Sequence, residues 1–182
     1  GVRMQLHWHE TPQFRFAASA DQVIDATVRR NVARLKDYGY SFDLQLFPGQ
    51  MRDGAVLVGE NPETDFVLTH TGMLVDREPK TVDAWEAGLR EMAGFDNFSA
   101  KLSGLGTFVH RNDPDLISFI VGRATAILGS RRLMFGSNFP IEKIWTDYAS
   151  LVAAHLEAAA QLSAKDRDNI FWSTAERIYR PA

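Results

Sequence analysis

Three histidines are the residues best placed to do chemistry. His7 and His9 stand two apart in the run RMQLHWHE, and His70 sits in VLTHTGM. Imidazole is the side chain whose ordinary pKa lies near neutral pH, so it can bind a metal, move a proton or polarise a carbonyl. On an extended strand, residues two apart share a face. Arg3, Gln5, His7 and His9 are therefore expected on one face, with Val2, Met4, Leu6 and Trp8 on the other. Two imidazoles so spaced can chelate one ion or grip one substrate. Asp43 with Gln45, Lys101 with Ser103, and Asn138 in Gly136-Ser137-Asn138 add polar groups at comparable places. Each has a plainer reading. The His-Trp-His run also fits a solvated loop, and His70 a core imidazole bonded to a backbone carbonyl. Lys101 fits an ion pair inside a barrel, and Asn138 a turn cap.

The elements that must position these groups alternate regularly. Strands are expected at Val2–Trp8, Phe42–Phe47, Asp65–Thr71, Phe98–Leu105 and Arg132–Ser137. Helices are expected over 21–38, 50–59, 81–93, 114–128, 147–161 and 163–178, from apolar spacing such as Val23, Ile24, Val28, Val32 and Leu35. Asp113 is placed to cap one of them, and Ser163 opens another with Asp166 three residues later. No hairpin turn separates the strands, so each must return through a helical crossover and the sheet must be parallel. Two α/β architectures satisfy this, an open doubly wound sheet or a βα barrel. Length alone favours the open sheet, because a full barrel takes ~250 residues. In both, sites form at the carboxyl ends of strands, where His7, His9 and His70 fall. His110 and His155 do not: one lies beyond the fourth strand and the other on a helix.

Composition narrows the function. With 45% hydrophobic and 24% charged residues, the 182-residue chain is globular and suits one domain. A net charge of -3 gives no reason to expect nucleic acid or an anionic membrane as partner. The absence of cysteine excludes a disulfide scaffold, a thiolate zinc site and a cysteine nucleophile. No apolar run approaches the ~18 residues of a membrane span, and the start lacks a signal peptide pattern, so a cytoplasmic protein is expected. A nucleotide-binding open sheet is disfavoured, since no phosphate-binding glycine motif follows a strand.

The segments FDLQLFPGQM, FVLTHTGML, KLSGLGTF, RLMFGSNFPIEKIW and IFWSTAERIYR together resemble the amidohydrolase-related family of metal-dependent TIM-barrel hydrolases. That family includes sugar-lactone and aromatic-dicarboxylate lactone hydrolases, and the resemblance covers essentially the whole chain. It implies a (β/α)8 barrel in which the five strands here are the fourth to eighth. The chain is then one incomplete barrel domain over 1–182, lacking amino-terminal units of roughly a hundred residues. Five strands of an unclosed barrel leave edges and an inner face open, so a homo-oligomer covering them is expected.

The resemblance also implies one or two divalent ions, zinc or manganese, at the barrel mouth. His70 matches a later-strand ligand. His7 and His9 are not the family's first-strand pair, which would lie outside this chain. Asn138 stands where many relatives carry an Asp that takes a proton from metal-bound water, and an amide cannot do so. Glu10 or a histidine would then act as base. The implied activity is hydrolysis of a C–O or C–N bond in a small carbonyl substrate such as a lactone. His70, His9 and Asn138 would be catalytic, and His7, Gln45, Lys101 and Ser103 would bind substrate. Two alternatives accompany it, a decarboxylase of the same family and a non-catalytic small-molecule binding or scaffold protein.

Overall fold

The computed structural model describes residues 1–180. Its strands are β1 (Val2–Gln5), β2 (Phe42–Gln45), β3 (Phe66–Leu68), β4 (Phe98–Leu102) and β5 (Leu133–Phe135). They form one sheet in the order β1-β2-β3-β4-β5, every neighbouring pair parallel. The helices are α1 (Ala26–Val32), α2 (Met51–Gly59), α3 (Pro79–Met92), α4 (Pro114–Leu128), α5 (Tyr148–Ala158), α6 (Ala164–Asp168) and α7 (Thr174–Tyr179). A doubly wound sheet reverses its strand order at a switch point, and this one does not. The order is that of a barrel wall, which overturns the expectation from length alone. No helix among the described residues is long and apolar enough to cross a membrane.

The two faces of the sheet carry different chemistry. Phe42, Leu44, Phe66, Leu68, Phe98, Ala100, Leu102 and Leu133 point to the helix side and join the main core with Met51, Trp85, Leu89, Ile117 and Ile120. The opposite face carries Arg3, Asp43, Val67, Lys101 and Met134, where α7 lays Ile178 against Val67 and Met134. Asp43 is buried there and accepts bonds from Lys101 (2.7 Å), Arg3 (2.8 Å) and Tyr179 (2.6 Å). Burial alone would raise the Asp43 pKa, but the bonds from Lys101, Tyr179 and Arg3 outweigh it and hold it low. Desolvation conversely pulls Lys101 below the usual ammonium range despite Asp43. β1 is exposed along all four residues.

Every strand is shorter than its sequence pattern at the carboxyl end. The alternation continues past the sheet, but the backbone leaves the ladder to build loops. The expected helix over 21–38 holds only α1 as α-helix, capped by Asp25, whose Oδ1 accepts from Thr27 N at 2.8 Å; 3-10 turns at Ala20–Ile24 and Leu35–Tyr38 flank it. The expected helix over 163–178 is interrupted by a π segment at Asn169–Ser173, where buried Asn169 turns inward to Ser130 Oγ at 2.9 Å. Asp113, Asp147 and Ser163 cap α4, α5 and α6 through Leu116, Ser150 and Asp166 N–H groups.

One buried amide fixes the segment after β1. Gln50 donates from Nε2 to Leu6 O (2.9 Å) and Ala20 O (3.0 Å), and its Oε1 accepts from Trp8 N (2.7 Å) and Phe47 N (3.3 Å). His7 O also accepts from Phe16 N and Ala17 N, both at 3.0 Å. Gln50→Leu leaves buried backbone groups unpaired and is expected to lower stability by about 3 kcal/mol in urea unfolding. A loss below about 0.5 kcal/mol, the usual size of a surface substitution, would mean that the clamp contributes nothing.

Candidate active site

The carboxyl ends of the strands open on a cavity of about 650 Å³. Arg3, Gln5 and His7 line it from β1 and the segment beyond, Gln45 from β2, His70 after β3 and Asn138 after β5. Phe14, Phe47 and Phe108 form an aromatic wall, with Phe108 5.1 Å from Phe14 and 5.7 Å from Phe47, centroid to centroid. Among the described residues no Asp or Glu lines the cavity.

His70 is set by an unusual turn. Directly after β3, His70, Thr71, Gly72 and Met73 all hold positive φ (55°, 49°, 78° and 52°). A residue with a Cβ adopts this region at a cost of about 1 kcal/mol or more. Side chains hold it in place: Thr71 Oγ1 donates to Lys101 O (2.7 Å), and the buried Trp85 indole donates to Thr71 O (2.6 Å). The turn delivers His70 Nδ1 to within 3.0 Å of Ser103 Oγ, leaving Nε2 for the cavity. Gly104 (φ +62°) passes close by, where a Cβ would sit 2.5 Å from His70 Nδ1. Desolvation lowers the His70 pKa to about 4, with the nearby Arg3 and Lys101 charges adding to it, so the ring is neutral at pH 7. His7 is likewise pulled down by burial, and its Nδ1 is buried without a partner.

The expected residues divide three ways. His7, Gln45, His70 and Asn138 come together at the cavity. Ser103 and Lys101 lie beneath it, Ser103 bonded to His70 and Lys101 to Asp43, so both support the floor instead of lining it. His9 turns away, correcting the expectation that it shares a face with His7. β1 ends at Gln5, and without strand geometry period two no longer applies. The His9 ring packs on Phe47 (4.9 Å), accepts from Thr11 N (3.0 Å), and faces a separate hollow of about 510 Å³ with Glu10. His110, which the sequence pattern set apart, does line the cavity, as do Thr107 and Phe108 from the long loop after β4. The double glycine of Gly104-Leu105-Gly106 was the available signal for that loop's close approach.

A sequence model of the family described as amidohydrolase matches residues 1–180. The chain belongs to the amidohydrolase family. Among its relatives, an L-fucono-1,5-lactonase of Burkholderia multivorans is 32% identical over 86% of this chain and 57% of its own length. An uncharacterised protein of Sinorhizobium fredii is 29% identical over 99% of this chain and 60% of its own. A crystal structure of an amidohydrolase from Burkholderia multivorans, with bound zinc, superposes with a TM-score of 0.86 at 28% identity, covering 100% of this chain and 64% of that one. The chain therefore spans about 60% of the length of these relatives, and its five strands are part of an amidohydrolase barrel.

The donors present do not make a metal site on their own. Among the described residues no three His, Cys, Asp or Glu side chains gather in reach of one ion. A catalytic zinc takes three protein ligands. Here the cavity offers the imidazoles of His7, His70 and His110 and the Asn138 amide, a weak ligand.

His70 gives a direct test of this geometry. Its imidazole is expected to titrate near pH 4 by NMR, and Gly104→Ala, which pushes the ring toward water, is expected to raise that midpoint. The unfolded chain takes up the same proton near the ordinary value of 6.5, so stability should fall as pH drops from there toward 4. A wild-type midpoint close to 6.5 would contradict the buried placement.

Proposed function

We propose that this chain forms the cavity of a hydrolase that opens the C–O bond of a small lactone. The observation that carries the reading is the convergence of His7, His70 and Asn138 on an aromatic-walled cavity free of carboxylates, with His70 held neutral. A neutral imidazole can accept a proton, and His70 is anchored through Nδ1 so that Nε2 is the working nitrogen. In this reading His70 Nε2 takes the proton from water as its oxygen attacks the lactone carbonyl. His7 donates to the oxygen on which charge develops. Asn138 and Gln45 hydrogen-bond the substrate, and Phe14, Phe47 and Phe108 cover its less polar face. The likeness to the L-fucono-1,5-lactonase supports a sugar-derived lactone as the substrate class.

The test is hydrolysis of L-fucono-1,5-lactone by the full chain, followed by acid release. His70→Asn should lower kcat/KM by about 100-fold or more, the usual contribution of a general base. Retention of near wild-type turnover would remove His70 from the role. The Asn138 amide and the sparse ligand set favour a second reading, a small-molecule binding protein. That reading predicts a lactone-dependent rise in melting temperature with no acid release.

A further inference from the structure

Behind the cavity wall sits a carboxylate that the hydrolytic reading does not use. Glu142, in the turn after β5, has no solvent exposure. Its partners are three neutral donors: Asn138 Nδ2 (3.3 Å) and Thr107 Oγ1 (3.4 Å) at Oε1, and Trp145 Nε1 (2.5 Å) at Oε2. Gly106 lets the group close, since a Cβ there would come within 2.9 Å of Glu142 Oε2. Asn138 and Thr107 both line the cavity, whereas Glu142 does not.

Both Glu142 carboxyl oxygens serve as acceptors for these donors. Glu142 therefore turns the Asn138 amide nitrogen and the Thr107 hydroxyl proton away from the cavity. One Asn138 N–H is thereby engaged, and the Asn138 carbonyl oxygen and the Thr107 oxygen lone pair remain as acceptors beside the second amide N–H. We infer that Glu142 is a positioning residue that fixes the orientation of the Asn138 amide, so that its carbonyl oxygen selects substrates presenting a hydroxyl donor. The inference builds on the lactonase reading and names which part of the substrate the wall recognises. It also accounts for Asn at 138, because an Asp there would set two carboxylates against each other in a buried site.

The first measurement is on the wild-type chain. Its Asn138 side-chain amide, assigned by loss of the signal in Asn138→Asp, should show one proton protected from exchange with water. Exchange as fast as that of an exposed amide overturns the inference, and this result needs no other variant to fold. Glu142→Gln, which can donate to the Asn138 oxygen, should shift both amide protons; an unchanged pair likewise overturns it. Turnover supplies the functional arm. L-Fucono-1,5-lactone carries ring hydroxyls and δ-valerolactone carries none. Glu142→Gln should reduce kcat/KM for the first by about tenfold more than for the second, the worth of one hydrogen bond of about 1.4 kcal/mol. An equal loss on both counts against the inference. A wild type that hydrolyses neither lactone removes the lactonase reading, while amide exchange still decides the role of Glu142.

Discussion

Three Cβ-bearing residues and one glycine hold left-handed backbone in succession at the end of β3. Such a run does not persist on local preference. It persists because the surroundings over-determine it. Thr71 is tied to β4 through Lys101 O, the Trp85 indole from α3 closes on Thr71 O, and Met73 N returns to His70 O at 2.9 Å. The turn thus depends on the sheet, on α3 and on itself at once. Because it does, the imidazole of His70 meets Ser103 through Nδ1 and is held half-buried and neutral.

The same logic recurs around the cavity with different partners. His7 lies on a segment without strand hydrogen bonds, and Gln50 stands in for the missing ladder with four bonds of its own. Asn138, also at positive φ (54°), is gripped by Glu142 and accepts from Ile141 N at 2.9 Å. In each case the barrel wall stops short and a buried polar group finishes the positioning. Buried amides and carboxylates are suited to this, since unmade bonds cost more than made ones return.

That division explains what the sequence revealed. The βα alternation, the caps at Asp113 and Ser163, and the placement of His7, His70, Gln45 and Asn138 were legible, because each follows from periodicity or from a local rule. The strand limits were not. Residues 69–71 and 6–9 were read as continuing strands where the backbone has abandoned strand geometry, which is why His9 was grouped with His7. Gln50 and Glu142 were invisible for another reason. A buried Gln or Glu owes its role to partners far along the chain or in another loop, such as Leu6 O for Gln50 and Thr107 for Glu142. The barrel topology itself became certain only when the strand order proved free of a reversal.

Asp43 and Tyr179 are joined across 136 residues of chain. On a ribosome adding about 5–20 residues per second, the Asp43 carboxylate waits about 7 to 27 seconds after its own synthesis for that phenol to be made. During that interval the inner face of β2 holds a charge whose set of donors is incomplete, and α7 is not yet there to lay Ile178 over Val67 and Met134. The nascent sheet is therefore exposed to misassociation until α7 has been made. Closure of this face waits on the synthesis of α7 and is paced by elongation, not by the speed at which helices and strands form.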